Sequence, residues 1–302
     1  MKFDNLNDIR VLIETARAGS LTGASYVLGV TPAAVSASLK KLEKKLDTRL
    51  FERTTRALRL TTQGQTLLDY ASRAMDLMAE GEALLKSDSA SISGLIRIAA
   101  STDLTRSVLL SWFDEFLALH PGLQIHVSVS DQIQDVTRDA VDVALRYGDL
   151  HDSQLMARKL CVARRVICAS PEYIQRFGQP QIPADLKNHN CLSFLLANRR
   201  YLNWQFERDG QQVEVRVSGN RMTDDASIVH QWALAGVGIT YKSELDLMHD
   251  IASGALVVLL PDWKGVALPL NAVLPSNRFI TMRVRALVDF LEAKFSSTKS
   301  TK

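Results

Sequence analysis

Three short amphipathic segments follow one another in the first 46 residues, with almost no chain left over between them. The apolar residues of the first segment recur at the spacing of one helix face, at Leu6, Ile9, Leu12, Ile13 and Ala16. Gly19 and Gly29 stand at the two junctions, where a left-handed residue ends a helix, and Ser20 is placed to cap the second segment. The spacing predicts three helices around one shared core.

The third segment, VTPAAVSASLKKLEKKL at residues 30–46, carries its own helix signals. Thr31 is an N-cap candidate and Pro32 suits the first helical position. The apolar face of this helix is formed by Val35, Leu39, Leu42 and Leu46. With small Ser25, apolar Leu28 and Val30, and the turn at Gly29, the segments predict a helix-turn-helix.

The other faces of the third helix are first small and then basic. Small residues come early, at Ala33, Ser36, Ala37 and Ser38, and lysines follow at Lys40, Lys41, Lys44 and Lys45. The helix would therefore present a narrow, basic surface that fits a groove. Residues 36–59 hold eight basic and three acidic residues, although the whole chain has a net charge of only +3. This local charge favours a polyanion-binding surface, with a solvated face of i,i+4 ion pairs as the alternative.

A short hairpin and a long helix are predicted next. Residues 56–60 begin to alternate between basic and apolar side chains, which indicates a basic wing. Thr61 or Thr62 then precedes a helix from Gln63 to about Lys86. Its apolar residues form a heptad seam at Leu67, Ala71, Ala74, Met78 and Leu85. The seam favours a homodimer, and packing of this helix on its own domain is the alternative.

Beyond a Ser/Gly-rich linker at residues 87–94, strands alternate with helices. Strands are expected at 95–100, 123–129, 141–146, 164–170, 191–194, 213–219, 238–240 and 256–260, with additional strands in YLNWQFE and LNAVLP. Helices are expected near 104–119, shortly after 129, near 171–177, from about Asp224 to Ala235, after 240, and from about Thr281 to Phe295. The alternation predicts mostly parallel sheets, arranged as two α/β lobes with a cleft between them.

The bulk composition bounds the class of protein. The chain has 302 residues, of which 46% are hydrophobic and 23% charged, as in globular proteins of two or three domains. Its apolar runs are too short to span a membrane, and residues 1–19 lack a signal-peptide core, so we expect a cytoplasmic protein with no membrane partner. Cys161, Cys168 and Cys191 form no CxxC pair and are expected to be small buried residues.

Two loops and one arginine are candidates for binding a small ligand in the cleft. Ser101, Thr102 and Asp103 follow a strand at a helix N-terminus, where N–H groups and hydroxyls hold a carboxylate; plain N-capping is the alternative. Residues 223–225 open a later helix in the same way. Arg146, the last residue of VDVALR, is a candidate cationic contact for the ligand; an arginine that pairs with other groups at the surface is the alternative.

Motifs of catalysis are lacking in the sequence. The six histidines show no HxxxH or HExxH spacing, and GxSxG, GxxxxGK[ST] and a strand-linked GxGxxG are all missing. We therefore expect that the protein is not an enzyme and that it binds no metal and no cofactor.

Residues 20–64 resemble the winged helix-turn-helix of LysR-type transcriptional regulators. The matching positions are Leu28, Val35, Ser36, Leu39, Leu42, Glu43, Leu46, Leu50, Phe51, Arg53, Leu60, Thr61 and Gly64. VDVALRYG, ASPEYI and AGVGIT follow in the order of the family's effector-binding region, so the resemblance spans about the whole chain.

The resemblance implies an α/β protein with three parts: a winged helix-turn-helix at residues 1–62, a dimerising linker helix and hinge at 63–93, and a two-lobed, periplasmic-binding-protein-like effector domain at 94–302. It implies double-stranded DNA, a small-molecule effector such as an organic anion, and RNA polymerase as partners of a homodimer or homotetramer. The effector modulates DNA binding from the cleft between the lobes.

The resemblance also assigns site residues. On the recognition helix the DNA-binding positions are Thr31, Pro32, Ala33, Ser36, Ala37 and Lys40, and Arg53 or Arg56 approaches the neighbouring minor groove. The effector positions are Ser101, Thr102, Ser130, Asp131, Gln132, Arg146 and Asp224. The family commonly has Gln where this chain has Pro32 and Arg where it has Ala37. Base readout is therefore expected to lean on Ser36, Ser38, DNA shape and the wing arginines.

Two other hypotheses compete with an effector-responsive regulator. One is a solute-binding or metabolic α/β protein with an appended helical dimerisation unit, which calls for an export signal or a catalytic constellation. The other is a DNA-binding protein whose two-lobed region binds no ligand, which a thermal-shift screen of metabolites discriminates.

Overall fold

The computed structural model describes residues 5–53, 58–86, 92–131, 141–148, 155–196, 199–275 and 280–299. The chain forms two compact units, Met1–Ala90 and Ser91–Lys302. Within the described ranges, no helix is both long and apolar enough to cross a membrane.

The first unit is a winged helix-turn-helix followed by a long helix. Its elements are α1 (Leu6–Ala18), α2 (Leu21–Leu28), α3 (Pro32–Leu46), β1 (Phe51–Arg53), β2 (Leu58–Leu60) and α4 (Thr62–Lys86). Gly19 and Gly29 end α1 and α2 with φ of 62° and 66°, a backbone region that favours glycine. The Ser20 hydroxyl accepts the Gly23 N–H at 3.0 Å and caps α2. The three predicted helices, their caps and the hairpin are confirmed.

The core of the first unit explains part of the apolar pattern on α4. Its buried residues are Ile9, Leu12, Ile13, Ala24, Val35, Leu39, Leu42, Leu50, Phe51 and Ala71. Leu67 and Ala71, the first two residues of the predicted dimer seam, pack into this core. For these two residues the alternative prediction, packing of α4 on its own domain, is confirmed. Ala74 and Met78 are exposed, and the Leu85 side chain lies outside the described part. The seam as predicted is therefore wrong in its first half.

The second unit alternates strands and helices. Its strands are β3 (Gly94–Ala100), β4 (Leu123–Val129), β5 (Val143–Tyr147), β6 (Leu155–Ala169), β7 (Ser193–Leu196), β8 (Arg199–Arg200), β9 (Asn203–Arg208), β10 (Gln211–Arg216), β11 (Met222–Thr223), β12 (Thr240–Ser243), β13 (Val257–Leu259), β14 (Lys264–Gly265) and β15 (Ala267–Pro275). Its α-helices are α5 (Thr102–Leu104), α6 (Leu110–Leu119), α7 (Pro171–Phe177), α8 (Ala226–Leu234), α9 (Glu244–Ser253) and α10 (Met282–Lys299). A π-helical segment, Thr105–Leu109, joins α5 to α6, and a 3-10 helix spans Pro183–Asn188.

The sheets are mixed, so the prediction of mostly parallel sheets is wrong. The largest sheet has the order β12-β6-β15-β5-β3-β4, and β13 also pairs with β6. Within it only β3 with β4 and β3 with β5 are parallel, whereas β6 and β15 pair antiparallel with their neighbours. The predicted strand at 164–170 is the end of the fifteen-residue β6. A strand of this length crosses from one lobe to the other, which strand and helix alternation alone does not reveal.

Separate hydrophobic clusters define the two predicted lobes. Lobe 1, residues 92–161 and 270–299, packs β3, β4, β5 and β15 against α6 and α10. Lobe 2, residues 162–269, packs β7, β9, β10, β12 and β13 against α7, α8 and α9. The strands β6 and β15 run through both lobes and shift register between Leu270 and Asn271. The short helix predicted after residue 129 falls on residues outside the described ranges.

All three cysteines are free and buried, as predicted. Burial raises the pKa of Cys168 and of Cys191 to about 12, so both thiols stay protonated and unreactive at neutral pH.

Candidate nucleic-acid interface and inter-lobe site

The exposed face of α3 carries the predicted DNA-binding residues. The Thr31 hydroxyl accepts the Ala34 N–H at 3.2 Å and starts the helix, while Val35, Leu39 and Leu42 turn into the core. Residues spaced by three or four then share the outer face, namely Ala33, Ala37, Lys40 and Lys44, and all four are exposed. Pro32 is also exposed and Ser36 is half-buried beside this row. The face therefore combines short side chains in the first two turns with lysines in the last two.

The structure removes Ser38 from the candidate readout residues. The Ser38 hydroxyl donates to Asp8 Oδ1 of α1 at 2.7 Å, and Lys41 Nζ lies 3.3 Å from Asp8 Oδ2. Both side chains therefore tie α3 to α1. The expectation that Ser38 reads bases is wrong, because its hydroxyl is already bound to Asp8. Helix periodicity cannot show this contact, since Asp8 lies thirty residues earlier in the chain.

The wing is fixed to the end of α3 by a carboxylate and a hydroxyl. Glu43 Oε1 accepts the N–H of Leu50 at 2.8 Å and that of Phe51 at 3.2 Å. The Thr61 hydroxyl donates to the Arg49 carbonyl at 2.8 Å and accepts the Gly64 N–H at 2.9 Å, so it also caps α4. Glu43 is one of the positions that match the family motif, but its role as the anchor of the wing was not predicted.

The hairpin itself is antiparallel, with Phe51 opposite Leu60 and Arg53 opposite Leu58. Arg53 thus lies at the end of β1, next to the tip of the wing, whereas Arg56 lies outside the described residues. Two more arginines of this segment are exposed, Arg49 just before β1 and Arg59 within β2. These charges suit a phosphate backbone on either side of a groove.

In the second unit, Asp131 bridges the two lobes. Its Oδ1 accepts the N–H of Thr102 at 3.0 Å, at the start of α5 in lobe 1. Its Oδ2 accepts the N–H of Ala226 at 2.7 Å, at the start of α8 in lobe 2, and the Thr102 hydroxyl donates to the same oxygen. Two predicted effector residues, Thr102 and Asp131, are therefore in contact, and a carboxylate of the chain itself occupies the helix N-termini.

The other predicted effector residues lie around this bridge. Ser101 immediately precedes α5, but its side chain makes no capping bond, and its Oγ is buried without a hydrogen-bond partner among the described residues. The capping alternative is therefore wrong for Ser101, because Asp131 fulfils that role. Ser130 follows β4, and its N–H donates to the Ala100 carbonyl at 3.0 Å. Arg146 is half-buried on β5, and Gln132 lies outside the described residues.

The start of α8 is capped by Asp225, the neighbour of the predicted Asp224. Asp225 Oδ1 accepts the Ser227 N–H at 2.8 Å and the Ser227 hydroxyl at 2.7 Å. Burial alone would raise the pKa of Asp225, but these hydrogen bonds lower it below its ordinary value. Arg106, in the π-helical segment of lobe 1, donates to the Ser227 hydroxyl and adds a second contact between the lobes.

A buried cluster of charges completes the contact between the lobes. Asp103 of α5 is 2% exposed and forms an ion pair with Lys242 of β12, which is also 2% exposed. His230 of α8 lies 3.0 Å from Asp103 Oδ1 through Nδ1 and 2.8 Å from Asp250 Oδ2 of α9 through Nε2. Tyr147 of β5 donates to Asp246 Oδ1 of α9 at 2.7 Å. This cluster was not predicted, because its members are scattered over 148 positions of the sequence.

Electrostatics sets the protonation of this cluster. Burial raises the pKa of Asp103, yet the nearby Lys242 and His230 lower it below its ordinary value. Burial lowers the pKa of His230, but the hydrogen bond and charge of Asp103, with the charge of Asp250, raise it overall. Burial and the charge of Asp103 raise the pKa of Asp246 to about 7. Asp103 is therefore a carboxylate held between the Lys242 ammonium and the His230 ring.

Comparison with known proteins assigns both units. The model of the lysR family of bacterial regulatory helix-turn-helix proteins matches residues 6–65, and that of the LysR substrate binding domain matches residues 89–296. The HTH-type transcriptional activator TtdR of Escherichia coli strain K12 is 32% identical over 290 residues, which cover 95% of this chain and 92% of TtdR.

Solved structures agree over the full length. CrgA, a LysR-type transcriptional regulator from Neisseria meningitidis, superposes with a TM-score of 0.63 at 29% identity, covering 97% of this chain and 99% of CrgA. The virulence activator AphB of Vibrio cholerae gives a TM-score of 0.58 at 26% identity, covering 96% of this chain and 99% of AphB. With a winged helix-turn-helix, a long α4 and a two-lobed α/β domain in that order, the chain belongs to the LysR family of transcriptional regulators.

Proposed function

We propose that this protein binds double-stranded DNA as a homo-oligomer and regulates transcription in response to a small organic anion held between its two lobes. The observation that carries the proposal is the outer face of α3, where exposed Ala33 and Ala37 are followed by exposed Lys40 and Lys44. Short side chains allow the helix to enter the major groove closely, and the lysines then meet phosphates.

The roles of single residues follow from this placement. Thr31, Pro32, Ala33, Ser36 and Ala37 border the base edges, and Lys40 contacts a phosphate. Arg53 and Arg56 on the wing enter the adjacent minor groove. Because Ala37 offers no hydrogen bond, Ser36 and the wing carry most of the sequence preference. A dimer would present two copies of α3 to a two-fold DNA site.

The effector side of the proposal is supported by the bridge between the lobes. Ser101, Thr102, Ser130, Asp131, Gln132, Arg146 and Asp224 are the proposed effector-binding residues. An organic anion that binds beside them changes the contacts of Asp131 with Thr102 and Ala226, and thereby the relation between the lobes. The name of TtdR, a transcriptional activator, further supports RNA polymerase as a partner.

Footprinting on the DNA upstream of the protein's own gene tests the proposal. We expect a protected site at moderate salt, with binding at least ten-fold tighter than to random DNA of the same length, and a change of protection when the effector is added. Equal affinity for both DNAs would overturn the proposed function. A protected site that no metabolite alters would favour a regulator whose lobes bind no ligand.

A further inference from the structure

His230 is held between carboxylates that belong to different lobes. Its Nδ1 lies 3.0 Å from Asp103 Oδ1 in lobe 1, and its Nε2 lies 2.8 Å from Asp250 Oδ2 in lobe 2. A neutral imidazole has one N–H and one lone pair, so it can donate to only one carboxylate and must point its lone pair at the other. An imidazolium donates to both. The geometry at His230 therefore matches the protonated ring.

The groups around His230 come from every element packed against it. Asp103 comes from α5, Lys242 from β12 and Asp250 from α9, while Asp225 caps its own helix. Lys242 also donates to the Ala226 carbonyl at 2.7 Å. Two cations, His230 and Lys242, thus face two carboxylates, Asp103 and Asp250. Loss of the imidazolium proton leaves Lys242 to balance two carboxylates, of which Asp103 is buried and Asp250 is half-buried, and such an imbalance is costly where water is largely excluded.

A second part of the cluster extends into lobe 1. Asp246 of α9 is 7% exposed and accepts the hydroxyl of Tyr147, and Arg165 of β6 lies within electrostatic reach. Asp246 and Asp103 repel each other when both are ionised, and this repulsion also favours the binding of a proton. Lys242, the Tyr147 hydrogen bond and Arg165 lower the pKa of Asp246, but burial and the charge of Asp103 outweigh them, so Asp246 binds a proton more readily than an ordinary aspartate.

We infer that His230 is a proton-operated latch between the two lobes: its imidazolium ties Asp103 of lobe 1 to Asp250 of lobe 2, and loss of the proton weakens this contact. The inference rests on the proposed function, because it adds control by protons to the inter-lobe site where the effector binds. The arrangement of the lobes in which Asp103 contacts His230, called closed below, is then favoured at mildly acidic pH.

Two raised pKa values weaken the contact between the lobes as pH rises. The pKa of His230 is raised above its ordinary value of 6.5, so its stabilisation is complete below 6.5 and is lost as pH rises through the higher value. The pKa of Asp246 is raised from its ordinary value of 3.8 to about 7. The protonated fraction of Asp246 falls as pH rises across that range, and its stabilisation of the closed lobes is lost with it. Both groups weaken the closed arrangement in the same direction.

Histidine NMR on the full-length protein tests the latch directly. The six imidazoles, labelled with nitrogen-15, are titrated from about pH 5.5 to about 8.5, the range in which histidine changes charge. We expect one ring to titrate above 6.5, to be missing in His230→Gln and to titrate lower in Asp250→Asn. His249→Gln, which changes an exposed histidine of α9, is the matched control. A His230 ring that titrates at or below 6.5 would overturn the latch.

Thermal unfolding supplies a second readout. The melting temperature of the wild type should exceed that of His230→Gln most at about pH 6, and the difference should shrink by on the order of several degrees at about pH 8. Asp250→Asn should behave likewise and serves if His230→Gln fails to fold. A difference that stays constant with pH would overturn the latch.

Footprinting across the same pH series separates the two proposals. Protection of a specific DNA site, together with a constant melting difference, would leave the proposed function standing and remove the latch. If the NMR titration and the melting difference behave as expected but no DNA site is protected at any pH, the latch would stand and the proposed function would be overturned.

Discussion

The backbone carbonyl of Leu50 lies so close to Gly64 that a Cβ on residue 64 would stand 2.0 Å from the carbonyl oxygen. This approach joins the start of the wing to the first turn of α4, where Thr61 also bonds to the carbonyls of Arg49 and Leu50. Backbone cannot move away as a flexible side chain can. Glycine at position 64 is therefore required by the packing of the wing against α4.

We predict that Gly64→Ala destabilises the first unit by about 1–3 kcal/mol, the usual cost of overpacking, and weakens DNA binding because the wing is displaced. Denaturant unfolding and gel-shift titration measure the two effects. Gly81→Ala in the same helix is the control, because a Cβ there meets nothing within 4 Å and should stabilise α4 by about 0.5–1 kcal/mol. Equal unfolding curves for Gly64→Ala and the wild type would contradict the packing argument.

Lys40 and Ser36 should affect DNA binding in different ways. Lys40→Ala is expected to weaken binding to specific and random DNA alike and to reduce the slope of log K against log salt by about 1, because one phosphate contact is lost. Arg53→Ala should also lower the salt slope, but it should weaken binding to the specific site more than to random DNA, because the wing carries part of the sequence preference. Titrations at three or more salt concentrations measure the slope, with Lys187→Ala, an exposed lysine of the second unit, as the control.

Ser36→Ala should instead relax the preference between related sites while leaving the salt slope unchanged, because a base contact carries sequence information and no net charge. Selection of binding sites from a randomised pool compares the variant with the wild type. If Ser36→Ala and Lys40→Ala changed affinity for every sequence by the same factor, the division of roles along α3 would be wrong.

The sequence predicted the first unit well because its determinants are local. Caps at Ser20 and Thr31, left-handed glycines at 19 and 29, and buried residues at helical spacing all act within one turn of the chain. The mixed sheets were predicted wrongly, because the antiparallel pairing of β6 with β15 joins residues about 110 positions apart. The pairings of Ser38 with Asp8 and of His230 with Asp103 were missed for the same physical reason.

Asp131 should stabilise the contact between the lobes. Asp131→Ala removes the carboxylate that accepts the N–H groups of Thr102 and Ala226, and we expect a loss of about 1.5–3 kcal/mol, the range for hydrogen bonds to a charged group. Differential scanning calorimetry of the full-length protein measures it. Asp262→Ala, which removes an exposed carboxylate of lobe 2, controls for the change in net charge. Identical transitions for both variants would show that the bridge contributes nothing to stability.

A saturating effector should raise the melting temperature of the second unit. A ligand present at a hundred times its Kd stabilises the folded state by about 2.7 kcal/mol, which corresponds to roughly 5–11 °C for a domain of this size. A thermal-shift screen of small organic acids, with the matching amides as controls, measures the shift. The amides should have no effect, because they lack the negative charge that helix N-termini and Arg146 attract. Shifts of equal size for acids and amides would contradict an anionic effector.

The exposed apolar row on α4 should carry the association of two chains. Tyr70, Ala74 and Leu77 recur every three or four residues and are all exposed, although Leu67 and Ala71 beside them pack into the core of their own domain. Leu77 is 41% exposed, which leaves apolar surface for a second copy of the helix. Leu77→Glu places a charge in that contact, and sedimentation velocity should show a shift towards the monomer. Ala79→Glu introduces the same charge two residues further on, about half a turn around the helix, and should leave the oligomer intact. If both variants dissociated equally, or neither did, the row would not be the dimer contact.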